Sequence, residues 1–183
     1  MLLTKPFVVL YFMLLMSVVS NAQIEVAHIS VKNFKATGFA GFLNFSVPIS
    51  KANYITAEGA LQYFKDKEDD EVALIPALLG FRYTLNQTGT GLYVEPNIGY
   101  TFGETTIGIY ENNTPVADYS TNGWAHEKVA GPAAGIGFGY LFEPAGRVQF
   151  NVGLRYEHTF GNAVTNLFAL RISHAFTFGR REE

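Results

Sequence analysis

Ten consecutive residues, Arg147 to Tyr156, constrain the fold more than any other stretch of this chain. Read as RVQFNVGLRY, they set Val148, Phe150, Val152, Leu154 and Tyr156 on one side of an extended backbone, and Arg147, Gln149, Asn151, Gly153 and Arg155 on the other. A period of two over this length describes a strand with two unlike faces. A strand in a water-soluble sandwich turns its apolar face to a core and its charged face to solvent. A strand in a membrane barrel turns them the other way. Three features separate the cases: whether other strands repeat the pattern, whether the turns are short at one end only, and whether the chain is exported.

Export is read at the N-terminus. Lys5 gives a positive start, Phe7 to Val19 is a compact apolar run, and Ser20-Asn21-Ala22 offers small residues where a signal peptidase cuts. Residues 1–22 are therefore expected to be a secretory signal peptide, with the mature chain starting at Gln23. The apolar run is short for a membrane-spanning helix. The chain has no cysteine, so neither a disulfide framework nor a lipidated terminal Cys holds it.

The remaining residues, 23–183, suit a single domain. Lys and Arg number 13 against 16 Asp and Glu, and no basic stripe of the kind that nucleic acid requires is present. Aromatic residues make up 15% of the chain, yet no later segment has the length of apolar sequence needed for a membrane helix. A membrane protein without helices must close its strands into a barrel, because hydrocarbon offers no partner to an open edge.

Eight candidate strands repeat the alternation. They cover Ile24 to Val31, Gly38 to Val47, Tyr54 to Phe64, Val72 to Leu85, Leu92 to Phe102, Val129 to Phe142, Arg147 to Tyr156 and Asn166 to Phe178. The first alternates least cleanly. Phe39, Phe45, Ile55, Ile75, Leu79, Phe81, Ile98, Phe138, Leu154, Phe168 and Leu170 mark one face. Polar and small residues mark the other, including Gly131, Ala133, Gly135, Gly137 and Gly139 on the sixth strand. The turns at Pro48 to Asn53, Asn86 to Thr90 and Glu143 to Gly146 are short. The opposite connections include the charge block Lys65 to Glu71 and the long segment Glu104 to Lys128, which shows no steady period and either has a role of its own or lengthens a hairpin beyond the membrane surface. Short turns at one end and longer loops at the other, with an even strand count, predict an all-β, eight-stranded antiparallel transmembrane β-barrel in the outer membrane of a Gram-negative bacterium, both termini periplasmic.

The segments TGFAGFLNFSVPIS, YITAEGALQYF, EVALIPALLGFRYTL, GLYVEPNIGYTFG, AAGIGFGYLF and NLFALRISHAFTFG together resemble the small outer-membrane β-barrel proteins common in Bacteroidetes, in the broad eight-stranded group that holds OmpX- and OmpA-like barrels. The resemblance covers nearly all of the mature chain. It implies outer-membrane lipids as surroundings and the barrel-assembly machinery as a partner during insertion, with Phe178 in place of the terminal aromatic that this machinery prefers. Gly179 to Glu183 trail behind it.

The inward face is expected to carry Glu58, Arg82, Glu95, Arg155, Glu157 and Arg171, three acids and three bases that pair within a narrow lumen. The small face of the sixth strand is expected to make room for those long side chains. The long fifth connection offers Tyr110, Tyr119 and Trp124 to an unknown extracellular partner or to the headgroup level of the membrane. His28, His126, His158 and His174 lack ligand spacing, so no metal site is expected, and no nucleotide or haem motif points to a cofactor. Ser173 and His174 are adjacent on a strand and point to opposite faces, so they form no dyad, and no enzymatic activity is expected. The reading is an integral outer-membrane barrel with a structural or surface-interacting role. A narrow passive channel and, further off, a lipid A- or phospholipid-modifying enzyme at the membrane rim are the alternatives.

Overall fold

The computed structural model describes residues 23–31, 34–67, 70–87, 89–108, 110–111, 114–115, 124–142, 148–161 and 164–177. Eight long strands build the wall: β1 Ile24–Val31, β2 Phe34–Pro48, β3 Asn53–Lys65, β4 Glu71–Thr84, β5 Gly91–Gly108, β9 Gly131–Phe142, β10 Val148–Thr159 and β11 Thr165–Thr177. Three short strands, β6 Tyr110–Glu111, β7 Thr114–Pro115 and β8 Trp124–Lys128, belong to the long connection. Around the wall the order is β4-β3-β2-β1-β11-β10-β9-β5, and β5 pairs back onto β4. The result is an all-β, eight-stranded antiparallel barrel in which closure removes the sheet edges.

The alternation decides which face is which. Ile24, Phe39, Phe45, Ile75, Leu79, Leu92, Ile98, Phe138, Leu154 and Phe168 are exposed on the outside, whereas their sequence neighbours point into the lumen. Slipping β3, β4, β5, β10 or β11 by one residue would place a Phe or Leu inside and a charge on the apolar outer wall, so the register is strongly specified. Following paired residues once around the wall, from Lys35 through Ser30, Asn166, His158, Ala134, Ile98, Leu79 and Ala57, returns to β2 at Phe45, ten residues further along. That stagger tilts the strands by roughly 40° from the barrel axis, the range that closes eight strands around a side-chain-filled interior.

The first strand lies at the bounds the sequence gives it, and the long connection proves to be partly paired. The first strand, whose alternation is the least clean, is fully paired along its length, with β2 on one side and β11 on the other. Its sequence reads poorly because its inward residues Ala27, Ile29 and Val31 are apolar as well. The segment Glu104 to Lys128 is not an irregular loop throughout. Strand β5 runs on to Gly108 and pairs with β8, Glu104 opposite Lys128 and Gly108 opposite Trp124, so the hairpin continues beyond β9. Val129 keeps the ladder going across the interruption through its N–H to the Gly103 carbonyl, 3.0 Å away.

The connections are also more alike than the sequence suggests. The β1–β2 connection spans two positions, with Val31 opposite Phe34, and the β3–β4 and β10–β11 connections are as short as the turns at the other end. Only the β5–β9 connection sets the two ends apart in length. Below, the end that carries it is called the loop end and the other the terminal end. Toward the terminal end, beyond Ile24, β2 and β11 meet directly as a parallel pair at Phe45–Phe176 and Ser46–Thr177.

Candidate functional site

The lumen is layered. Near the loop end, Ala27, Ile29, Val31, Phe34, Ala36, Phe64, Val72, Leu74, Val129, Leu167 and Ala169 form one buried apolar cluster contributed by β1, β2, β3, β4, β11 and the start of the β9 hairpin arm. Ile29, Phe64, Val72 and Val129 have no exposed surface. These residues point inward because they share the parity of the inward set, and they fill the width that the barrel leaves.

Below this layer lie the charges. Arg155 places one guanidinium nitrogen 2.5 Å from Glu58 Oε1 and another 3.1 Å from Glu25 Oε1. Arg171 approaches the same two acids from the other side, with Nε 2.9 Å from Glu25 Oε2 and Nη2 2.7 Å from Glu58 Oε2. The four side chains close a ring of alternating charge. Glu157 joins it at 3.4 Å from Arg155 and accepts a hydrogen bond from the Thr101 hydroxyl at 3.1 Å. Gln62 donates to Glu25 Oε1 at 3.2 Å and Asn44 donates to Glu58 Oε2 at 3.1 Å. The face of Phe42 lies 3.8 Å from the Arg171 guanidinium carbon, a cation–π contact.

A second pair sits toward the terminal end. Arg82 Nε donates to Glu95 Oε2 at 2.6 Å, and Thr56 donates to Glu95 Oε1 at 2.8 Å. Tyr93 lies under the Arg82 guanidinium, 4.9 Å from its ring centre, and donates its hydroxyl hydrogen to Asn151 Oδ1 at 3.0 Å. Arg82 Nη2 reaches Asn44 Oδ1 at 3.5 Å, which links this pair to the ring through Glu58.

The six charged residues named from the sequence thus lie in the lumen, Arg82 with Glu95 and the other four in the larger group. Sequence reading missed Glu25, which is fully buried and touches both arginines of the ring. Its signal lay in the parity of β1: Glu25 shares a face with Ala27, Ile29 and Val31. The register then sets Glu25 directly opposite Arg171. With Glu25 included, the described lumen holds four carboxylates to three guanidiniums.

The glycines of β9 have a narrower role than making room for arginine. A Cβ on Gly139 would stand 2.6 Å from the Tyr93 ring, and one on Gly153 of β10 would stand 2.6 Å from the Tyr93 hydroxyl. These two positions admit a tyrosine. Gly137 faces Glu95 at an ordinary 3.6 Å. Of the residues named for the long connection, Tyr110 and Trp124 lie on β6 and β8, while Tyr119 falls outside the described residues, as does Phe178. Among the described residues no cluster of His, Asp and Glu could hold a metal ion.

No protein-family model and no curated protein matches the chain. Solved structures do. Neisserial surface protein A aligns with a TM-score of 0.53 and 11% identity, over 82% of this chain and 92% of that one. Ail, the attachment invasion locus protein of Yersinia pestis, aligns in its complex with the heparin analogue sucrose octasulfate with a TM-score of 0.54 and 10% identity, over 84% of this chain and 94% of that one. Ail without that molecule gives 0.52 and 11%, over 84% and 93%. At such identities the likeness is one of fold, and with the apolar outer wall it makes this chain a small eight-stranded β-barrel of the outer-membrane type, its strands crossing the membrane.

Proposed function

We propose that the protein is an integral outer-membrane barrel with a structural or surface-interacting role and a lumen closed to solutes. The observation that carries the reading is the two-layered filling of the interior: an apolar layer near the loop end above a closed ring of ion pairs. An ion path would need a continuous polar line, and the apolar layer interrupts it. The ion pairs serve packing and register, since each charge has its partner within the wall.

In this reading residues 1–22 are removed on export, the termini lie in the periplasm and the β5–β8 extension stands outside the cell. The extension is the part long enough to leave the membrane surface, and Tyr110, Tyr119 and Trp124 are its contact residues or its anchors at the headgroup level. Phe178 serves as the assembly signal. That one barrel of this fold is a surface protein and another an attachment protein agrees with a surface role.

Cysteine labelling tests the placement, because the natural chain has no thiol. A cysteine at Asn113 reacts with an impermeant maleimide on intact cells, and one at Ala145 reacts only after the outer membrane is breached. The opposite preference would invert the barrel. Recovery of the protein in the soluble periplasmic fraction, with no heat-modifiable gel migration, would end the membrane reading altogether.

A further inference from the structure

The outer wall is not equally apolar around its circumference. Because the strands are tilted, residues at one height are not direct partners but shift by about one and a quarter positions per strand, given the ten-residue stagger over eight strands. With that correction, Lys35 on β2, Lys65 on β3, Glu71 on β4 and Glu104 on β5 fall at nearly one height, and Lys65 and Glu71 pair at 3.6 Å. They mark where this wall leaves the apolar belt. One outward position below them, about 5 Å deeper, β3, β4 and β5 present Tyr63, Ala73 and Phe102, all exposed and none of them charged.

The other side differs from that depth to just under one outward position below it. Strands β2, β1, β11 and β10, four neighbours in the wall, present Thr37, His28, Asn166 and His158. Two of these contacts fix the imidazoles. His28 Nδ1 lies 3.1 Å from Thr37 Oγ1, and His158 Nδ1 lies 2.9 Å from Asn166 Oδ1. Asn166 Oδ1 also accepts the Tyr156 hydroxyl at 2.8 Å, and Phe160 packs edge-on against the His158 ring at 4.4 Å. Each ring therefore spends Nδ1 within the wall and has Nε2 for a partner outside it. The doubly used oxygen of Asn166 makes its amide N–H groups the donors that remain to it.

No acid interrupts this patch. The outward positions of the described parts of β1, β2, β10 and β11 hold no Asp or Glu, whereas β4 and β5 carry Glu71 and Glu104. Hydroxyl, amide and imidazole groups facing hydrocarbon are costly without a partner. Lys35 above them supplies a positive charge. We propose that this face binds the phosphoryl headgroup of an anionic membrane lipid, with Lys35, His158, His28 and Asn166 as its donors. His158 takes a proton on Nε2 and donates to a phosphoryl oxygen, a charge-assisted hydrogen bond. The occupant is a lipid because the patch lies on the outer wall, directly above Phe39, Val26 and Phe168, where acyl chains run. The inference rests on the membrane placement above.

The test uses the full mature barrel in detergent, with heat-modifiable gel migration read first for every variant. Native mass spectrometry then counts retained phosphatidic acid against diacylglycerol, which lacks the phosphate, with inorganic phosphate as competitor. The protein is expected to retain phosphatidic acid over diacylglycerol. The double variant Lys35→Met/His158→Leu is expected to lose about tenfold of that retention, and Lys128→Met, a cation outside the patch, to keep it. If the double variant fails the migration check, the nearly isosteric Asn166→Asp replaces it and is expected to repel the headgroup to a similar degree. Equal retention of diacylglycerol, an unaffected double variant or Asn166→Asp, an equal loss with Lys128→Met, or displacement by millimolar inorganic phosphate would each overturn the site. A heat-modifiable barrel without selective retention sinks this site alone, whereas a chain that stays soluble without detergent sinks the membrane reading beneath it.

Discussion

Glu25 on β1 and Glu58 on β3 are held by the same two guanidinium groups, each acid giving one oxygen to Arg155 and the other to Arg171. The arrangement ties β1, β3, β10 and β11 together through the centre of the barrel. It also spreads each buried charge over two partners, so neither acid depends on one contact. The seam where the first strand meets the last is thereby pinned from inside, with Glu25 and Arg171 in direct register.

Removing one corner should be costly. Arg155→Met leaves Glu157 without its guanidinium and Glu25 and Glu58 with one each, and breaking a buried pair in this way costs about 3–5 kcal/mol. Urea unfolding from micelles measures it. The double variant Arg155→Met/Glu157→Gln is expected to be less destabilised than the two single losses added together, because the carboxylate left unpaired is then neutral. Strict additivity would mean that Glu157 does not belong to the group.

The tyrosine cradle gives a contrast between two glycines. Gly153→Ala brings a Cβ to 2.6 Å from the Tyr93 hydroxyl and 2.9 Å from the Phe138 carbonyl, so it is expected to cost about 1–3 kcal/mol through overpacking. Gly137→Ala meets only ordinary contacts and is expected to be tolerated. Tyr93→Phe in the Gly153→Ala background should recover part of the loss. Equal stability of the two alanine variants, in the same unfolding assay, would contradict the cradle.

The apolar layer should behave as a protein core although it lies inside a membrane protein. Leu74→Ala opens a cavity among Phe64, Val72 and their neighbours and is expected to cost about 2–5 kcal/mol. Leu79→Ala, on the same strand but 62% exposed on the outer wall, leaves a gap that lipid fills, and it is expected to cost less. The two unfolding midpoints, compared side by side, check the assignment of the faces.

How much of this was legible in the sequence follows from what sets each feature. Strand positions and faces were readable wherever one face is apolar and the other polar, as in Val148 to Tyr156, because a period of two leaves little freedom. Strand β1 was hard to read because its inward residues cross the apolar layer, so Ala27, Ile29 and Val31 erase the contrast that alternation needs. The same layer was invisible as a unit: Phe34, Phe64, Leu74 and Leu167 are far apart in the chain, and only the register brings them together. The arginines and most of their acids could be placed inside by parity, but which acid each would meet depends on the stagger, which no single strand encodes. That the β5–β9 connection lengthens a hairpin was one of two readings of the sequence, and pattern alone did not choose between them, because the pairing continues past Gly103, across the break at Val129, without a steady apolar face.

The central claim, a lumen closed by an apolar layer above an ion-pair ring, is tested most directly by conductance in a planar bilayer. Purified wild-type protein is expected to give no stable channel events. Arg155→Met is expected to be equally silent while it remains folded, because the layer of Ile29, Phe64, Val72 and Leu74 still spans the interior. Reproducible open-channel currents from the wild-type protein would contradict the account and make it a pore.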